Sequence, residues 1–227
     1  MKDFFEILIN KRGYIDVLQG LKNTMVIAIL GLLIGVVIGI VIATIRVLPK
    51  YKALPKILNG FCTFYVGLFR GTPMVVQLLV FYYVLMPLLN IHMLSVNVAI
   101  CVFGLNSGAY ISEIMRAGIL SVDPGQMEGA RSVGLSYGTS MMKIVIPQAI
   151  KNILPTLGNE FIALVKETSV VSFVGALDLY RAFSNIGDAK YQYMVPYLAM
   201  ALVYIVIVCL ITLLVKFMER RLRRGDR

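Results

Sequence analysis

Residues 128–147 read EGARSVGLSYGTSMMKIVIP, with Glu128, Gly129 and Ala130 at the start, Gly134 after a gap of three, then Ile144, Ile146 and Pro147. This stretch holds Glu128, Arg131 and Lys143, yet it lies between two very apolar segments. A polar helix in a short loop between two membrane spans can act as a docking part, or be a plain solvated surface helix. Its ends can be placed from the sequence. Asp123 followed by Pro124 is a helix start, with Asp as N-cap and Pro at the first position. Gly134 is a stop. The spacing therefore predicts a helix over 124–133, with Glu128 and Arg131 three apart on its surface.

Working outward from this loop, the rest of the chain reads as membrane. It has 227 residues, of which 59% are hydrophobic, and a mean hydropathy of +0.82. A soluble domain of this size needs more polar surface than that leaves. Three long runs lack acidic and basic side chains: 23–45, 71–112 (which holds His92) and 191–215. About 20 apolar residues cross a bilayer core, so the outer two runs are one span each and the middle run is two. Met86-Pro87-Leu88-Leu89-Asn90 supplies the turn within it. A further apolar stretch, 152–176, carries only Glu160, Lys166 and Glu167. The expectation is an all-α membrane protein of five spans. Residues 1–22 form an external amphipathic lead-in, 23–220 a single transmembrane domain containing the cytoplasmic loop 121–142, and 221–227 a basic tail.

The net charge of +10 is topological and does not point to nucleic acid. Segments 46–56, 116–151 and 216–227 together hold 14 basic residues, against seven in 1–22, 86–95 and 166–190. The excess places the first group in the cytoplasm, with the N-terminus outside and the C-terminus inside. The first apolar run is too long for the core of a signal peptide. Cys62, Cys101 and Cys209 lie in apolar segments without metal-ligand spacing and read as small core residues.

Polar residues inside apolar spans mark candidate sites. Gly31, Gly35 and Gly39 recur every four residues on one helix face, suited to a subunit contact or to packing within the chain. Arg70-Gly71-Thr72-Pro73 interrupts the second span, because Pro73 cannot donate to the carbonyl of residue 69. A broken helix at membrane depth suits a binding site, or a kink with Arg70 paired internally. Asn106 stands about 16 Å along the third span, near the midplane, beside Ser107 and Gly108. Glu113 and Arg116, three apart, suit an ion pair. Glu160 lies about 13 Å beyond Lys151, again near the midplane, next to Asn159. A charge there costs at least about 2.5 kcal/mol unless it is used or paired, and Arg70 is its structural alternative. A short amphipathic helix is predicted over 176–184 in the outer loop 168–190. No phosphate-cradling loop and no histidine cluster is present in the sequence, so catalysis and metal chemistry are not expected.

Five groups of residues together resemble the permease subunit of polar amino-acid ABC importers. They are Arg70-Gly71-Thr72-Pro73 with Gln77, Ser107-Gly108-Ala109-Tyr110 with Glu113 to Arg116, the 128–147 loop, Leu157-Gly158-Asn159-Glu160, and Lys166-Glu167-Thr168-Ser169. The family has Ala where this chain has Gly129 and Leu where it has Ile146. The resemblance implies the five-span type I importer permease fold, in a bacterial plasma membrane, with no enzyme activity of its own and no cofactor. ATP is then bound by a partner ATPase dimer, a second permease subunit (identical or sister) completes the pore, and an extracytoplasmic binding protein delivers the substrate. Glu128, Gly129, Ala130 and Gly134 would couple to the ATPase. Thr72, Gln77, Asn106, Ser107, Asn159, Glu160, Lys166 and Glu167 would bind substrate. The unpaired carboxylate of Glu160 favours an amino acid with a cationic side chain (arginine, lysine or histidine), with glutamine or cystine as the alternative. A gradient-driven secondary carrier is the rival from another class, but it gives the docking loop no purpose.

Overall fold

A computed structural model describes residues 4, 6–10, 13–47 and 53–223. The described residues are helical throughout, without strands. After a π turn at Glu6–Asn10 come α1 (Gly13–Val47), α2 (Ala53–Gly71), α3 (Met74–Leu88, with a π turn at Phe81–Leu85) and α4 (Ser95–Leu120). The loop helix α5 (Pro124–Ser132) follows, and then the turn Tyr137–Ser140 and a π turn lead into α6 (Ile146–Glu167). A 3-10 turn (Thr168–Val174), α7 (Leu179–Asp188) and α8 (Met194–Arg223) complete the chain.

The long helix α1 packs along α4, and glycines make this possible. Gly31, Gly35 and Gly39 of α1 lie against Phe103, Ser107 and Ile111 of α4, while Gly104 and Gly108 of α4 receive Ile34 and Ile38 in return. A Cβ at Gly35 would stand 2.8 Å from the Ser107 side chain and 3.1 Å from the Gly108 nitrogen. The glycine face thus serves packing within the chain. Around this pair, Ile27, Leu78, Val102, Phe103, Leu164 and Val171 form the main core, to which α3 and α6 both contribute.

Two expected boundaries move. Residues 13–22, read as part of a surface lead-in, are the first turns of α1 itself. They are held there by the outer segment: Asn23 Nδ2 donates to the Leu177 carbonyl at 2.7 Å, and Thr24 Oγ1 accepts from the Leu179 N–H at 3.2 Å. A Cβ at Gly20 would meet the Asp178 carbonyl at 2.4 Å. The helix expected over 176–184 starts three residues later, at Leu179, and ends at Asp188. Asp178 is its N-cap, accepting from the N–H groups of Tyr180 and Arg181, and Gly175 at φ 73 breaks the chain before it. The displaced start follows from the preference of Asp for the cap over the helix interior. Burial pushes the Asp178 carboxyl up to about 6, against the pull of its N–H donors.

Among the described residues, three helices are long and apolar enough to cross a bilayer: α1, α4 and α8. The pair α2 and α3, bent by 107° at its break, counts as a fourth if it forms one span. The expected fifth, α6, falls short by composition because it holds Lys151, Glu160, Lys166 and Glu167 along with two prolines.

Candidate functional site: the broken helix, the membrane carboxylate and the loop helix

The break between α2 and α3 is knitted by side chains. Pro73 has no N–H to give the Phe69 carbonyl, which would otherwise stand unpaired in a low-dielectric interior. Gln77 Nε2 takes the place of that donor, bonding the Phe69 carbonyl at 2.8 Å, the Thr72 carbonyl at 3.0 Å and Thr72 Oγ1 at 2.9 Å. The other end of the amide, Gln77 Oε1, accepts from Asn106 Nδ2 of α4 at 2.9 Å. Gln77 and Asn106 are buried, and Thr72 Oγ1 donates to the Leu68 carbonyl at 2.8 Å. The structure therefore brings Thr72, Gln77 and Asn106 together, with these polar atoms engaged by one another and by the backbone of the break. Replacing Gln77 with leucine, nearly its equal in volume, is expected to strand these groups. The loss should be on the order of 3 kcal/mol, seen as a lowered unfolding midpoint of the purified protein in detergent.

Glu160 stands on α6 and meets α4 at Ser107, the residue after Asn106. The fully buried Ser107 Oγ donates to Glu160 Oε1 at 3.0 Å. No cation pairs with Glu160 among the described residues, and the expected alternative partner is engaged elsewhere. The Arg70 guanidinium lies over the Tyr110 ring, 5.3 Å from its centroid. Asn159, beside Glu160, is exposed, as are Lys166 and Glu167 at the end of α6. The expected Glu113–Arg116 pair forms at 3.1 Å. A second cation, Arg46 at the end of α1, also bonds Glu113, a partner 67 residues away that helix periodicity could not supply.

The loop helix is built as its sequence predicts. Asp123 Oδ1 accepts from the Gly125 N–H at 2.8 Å, and Pro124 opens α5. At the other end the Leu135 N–H bonds the Ala130 carbonyl at 3.2 Å and the Gly134 N–H bonds the Arg131 carbonyl at 3.1 Å, with Gly134 at φ 88. This pair of bonds is the left-handed glycine stop of a Schellman motif. Ala130 faces inward, next to the cluster of Val122, Val145 and Ala149 that Met127 packs against. Glu128 and Gly129 face outward, and a Cβ at Gly129 would meet only open space. Gln148 Nε2 reaches back to Gln126 Oε1 at 3.1 Å, and Asn152 Nδ2 to Ser121 Oγ at 2.8 Å, tying the loop to α6. Motion of α5 is thereby connected to the helix that bears Glu160.

An exposed, capped helix is thus tied to α6, which bears Glu160, beside a broken helix pair. The chain belongs to the family of binding-protein-dependent transport system inner membrane components, whose pattern matches residues 35–224. It is 42% identical over 163 residues to the arginine transport system permease protein ArtQ of Bacillus subtilis (strain 168), covering 72% of this chain and 74% of that one. It is 39% identical over 166 residues to a putative glutamine transport system permease protein of Rickettsia typhi, covering 73% and 76%. Among solved structures, an amino acid ABC transporter crystallised with histidines superposes with a TM-score of 0.86 at 37% identity, covering 95% of this chain and 98% of that one. The MetNI methionine transporter in an inward-facing conformation shares the fold, at a TM-score of 0.70 and 18% identity over 93% of this chain and 96% of that one. The chain is thus a multi-pass membrane permease component of the type I importer fold, and the resemblance drawn from its motifs holds. It is a non-catalytic subunit.

Proposed function

We propose that this chain is the permease subunit of an ATP-driven importer of polar amino acids with cationic side chains. ATP is bound by a separate ATPase dimer seated on α5 through Glu128, Gly129 and Gly134, with Ala130 anchoring the helix from beneath. A second permease, identical or sister, completes the pathway, and an extracytoplasmic binding protein loads it. ATP-driven closure of the ATPase dimer pulls on α5, and the ties from Gln126 and Ser121 to α6 pass the motion to the substrate site at Glu160, Ser107 and Asn159. Lys166 and Glu167 stand exposed at the outward end of that path. Thr72, Gln77 and Asn106 hold the broken helix that forms its wall.

The observation that carries the substrate class is Glu160: a carboxylate at membrane depth, held by one hydroxyl and free of any cation among the described residues. An arginine permease among the relatives supports this reading, and glutamine and cystine permeases at 39% identity support the alternative. The test is to co-purify a tagged chain with its ATPase and binding protein and to follow ATP hydrolysis. Arginine, lysine or histidine is expected to raise the rate well above glutamine or cystine. A complex with no ATPase would sink the coupling, and stimulation by neutral amino acids alone would sink the substrate class.

The same proposal includes five spans, with the N-terminus outside and the C-terminus inside. With Cys62, Cys101 and Cys209 replaced, Tyr191→Cys, in the turn after α7 and 86% exposed, is expected to react with an impermeant thiol reagent on intact cells. Gly225→Cys, in the basic tail 221–227 and outside the described residues, is expected to react only after lysis. The reverse pattern overturns the orientation.

A further inference from the structure

Arg70 and Glu160 carry opposite charges at membrane depth, yet among the described residues neither has an ion-pair partner. Arg70 ends α2 at the break, exposed, with its guanidinium over Tyr110. It faces a cavity of about 650 Å³ that it shares with Glu113, Gly118, Ser121, Asn152 and Thr156. Glu113 does not neutralise it, because both of its oxygens are taken, one by Arg46 and the other by Arg116. Three guanidinium groups against one carboxylate leave the neighbourhood of this cavity with an excess of two positive charges. With that excess of positive charge beside it, the cavity suits an anion.

Two helices independently set Glu160 one turn from this cavity. On α6, Thr156 lines the cavity and Glu160 follows four residues later. On α4, Tyr110 supports Arg70, and Ser107, three residues earlier, bonds Glu160. One turn is about 5.4 Å along a helix. On both helices, then, the residue beside Glu160 and the residue beside Arg70 are about one turn apart.

We propose that Arg70 receives the α-carboxylate of the transported amino acid, while the cationic side chain of the same molecule reaches Glu160. This rests on the reading of the chain as an amino-acid permease. The planar guanidinium suits a carboxylate because it can donate two parallel hydrogen bonds, and stacking on Tyr110 holds its plane ready. With the amides of Gln77 and Asn106 bonded within the break, Arg70 is an exposed guanidinium beside the break that can receive a substrate carboxylate. The site then selects for both ends of the molecule, and the two charges need not meet each other.

The test uses the purified permease–ATPase complex without binding protein, and measures direct binding of L-arginine and of L-arginine amide, in which a neutral carboxamide replaces the carboxylate. The wild type is expected to prefer arginine over its amide by roughly tenfold to a hundredfold. R70Q is expected to lose that factor for arginine while holding its affinity for the amide, which abolishes the preference. R70K, which keeps the charge but loses the paired bonds, is expected to fall between them. Equal binding of acid and amide by the wild type overturns the proposal before any variant is made. An R70Q complex that still prefers the acid overturns it too. Both outcomes leave the permease reading standing, whereas that reading fails separately if no amino acid stimulates hydrolysis in the complete system.

Discussion

Gly134→Val is expected to uncouple the permease from ATP hydrolysis while leaving its transmembrane core folded. Gly134 sits at φ 88, where a side chain is strained whatever the space around it, and a β-branched residue is strained most. Nothing crowds the position, so the effect is one of backbone conformation and not of collision. Forcing valine into the left-handed region costs about 2 kcal/mol, and the chain can escape that cost by giving up the bonds from Gly134 and Leu135 to Arg131 and Ala130. Ala130 and Met127 keep their contacts underneath, so the strain is released at the exposed turn that follows α5. A displaced docking turn worth about 2 kcal/mol is roughly a thirtyfold change in a docking equilibrium. The measurements are ATPase retained on a tagged permease and substrate-stimulated hydrolysis in liposomes, and both should fall by about that factor. Gly134→Asn tolerates the left-handed conformation and should keep most of the coupling. Full coupling with valine in place would remove the loop from the mechanism.

The parts of this architecture that were legible in the sequence are those set by local chemistry. Asp123-Pro124 and Gly134 mark the ends of α5 because capping and left-handed stops are decided within a few residues. Pro73 marks the break in the second span for the same reason. What was not legible depends on residues distant in the chain. Nothing near residue 20 announces that α1 begins at Gly13, because the polar groups of Asn23 and Thr24 are satisfied by the backbone around residue 178. Gln77 and Asn106 read as ligand donors through the family resemblance. In the fold they also bond across the gap that Pro73 leaves, a role visible only once α4 is laid against the break. Arg46 read as a topology signal, and it is also the second partner of Glu113. The charge on α6 explains why composition cannot certify it as a span. A helix lining a polar pathway must carry the groups that make it look least like membrane.

Glu160→Gln is expected to convert the substrate response from charge-selective to charge-indifferent. Glutamine is nearly isosteric with glutamate, and its carbonyl oxygen can still accept from Ser107 Oγ, so the contact at 3.0 Å survives and shape is conserved. What disappears is one negative charge on a half-buried side chain. Two unit charges 4 Å apart interact by about 4 kcal/mol at an effective dielectric of 20, and the cost of stripping water from the incoming cation offsets part of this. The remaining loss for arginine or lysine should be roughly tenfold to a hundredfold in the concentration giving half-maximal stimulation of hydrolysis. Glutamine, which carries no side-chain charge, should lose little. Assembly with the ATPase, followed by size-exclusion chromatography, should be unchanged, since no ion pair is broken by the substitution. The two roles for Glu160 part company here. A carboxylate that serves only to hold Ser107 and close α6 onto α4 is replaced by glutamine without penalty to any substrate. One that receives the cationic end of the substrate is not. Full stimulation of the variant by arginine or lysine, or a wild type that answers only to neutral amino acids, would make Glu160 a packing residue and the cationic assignment wrong.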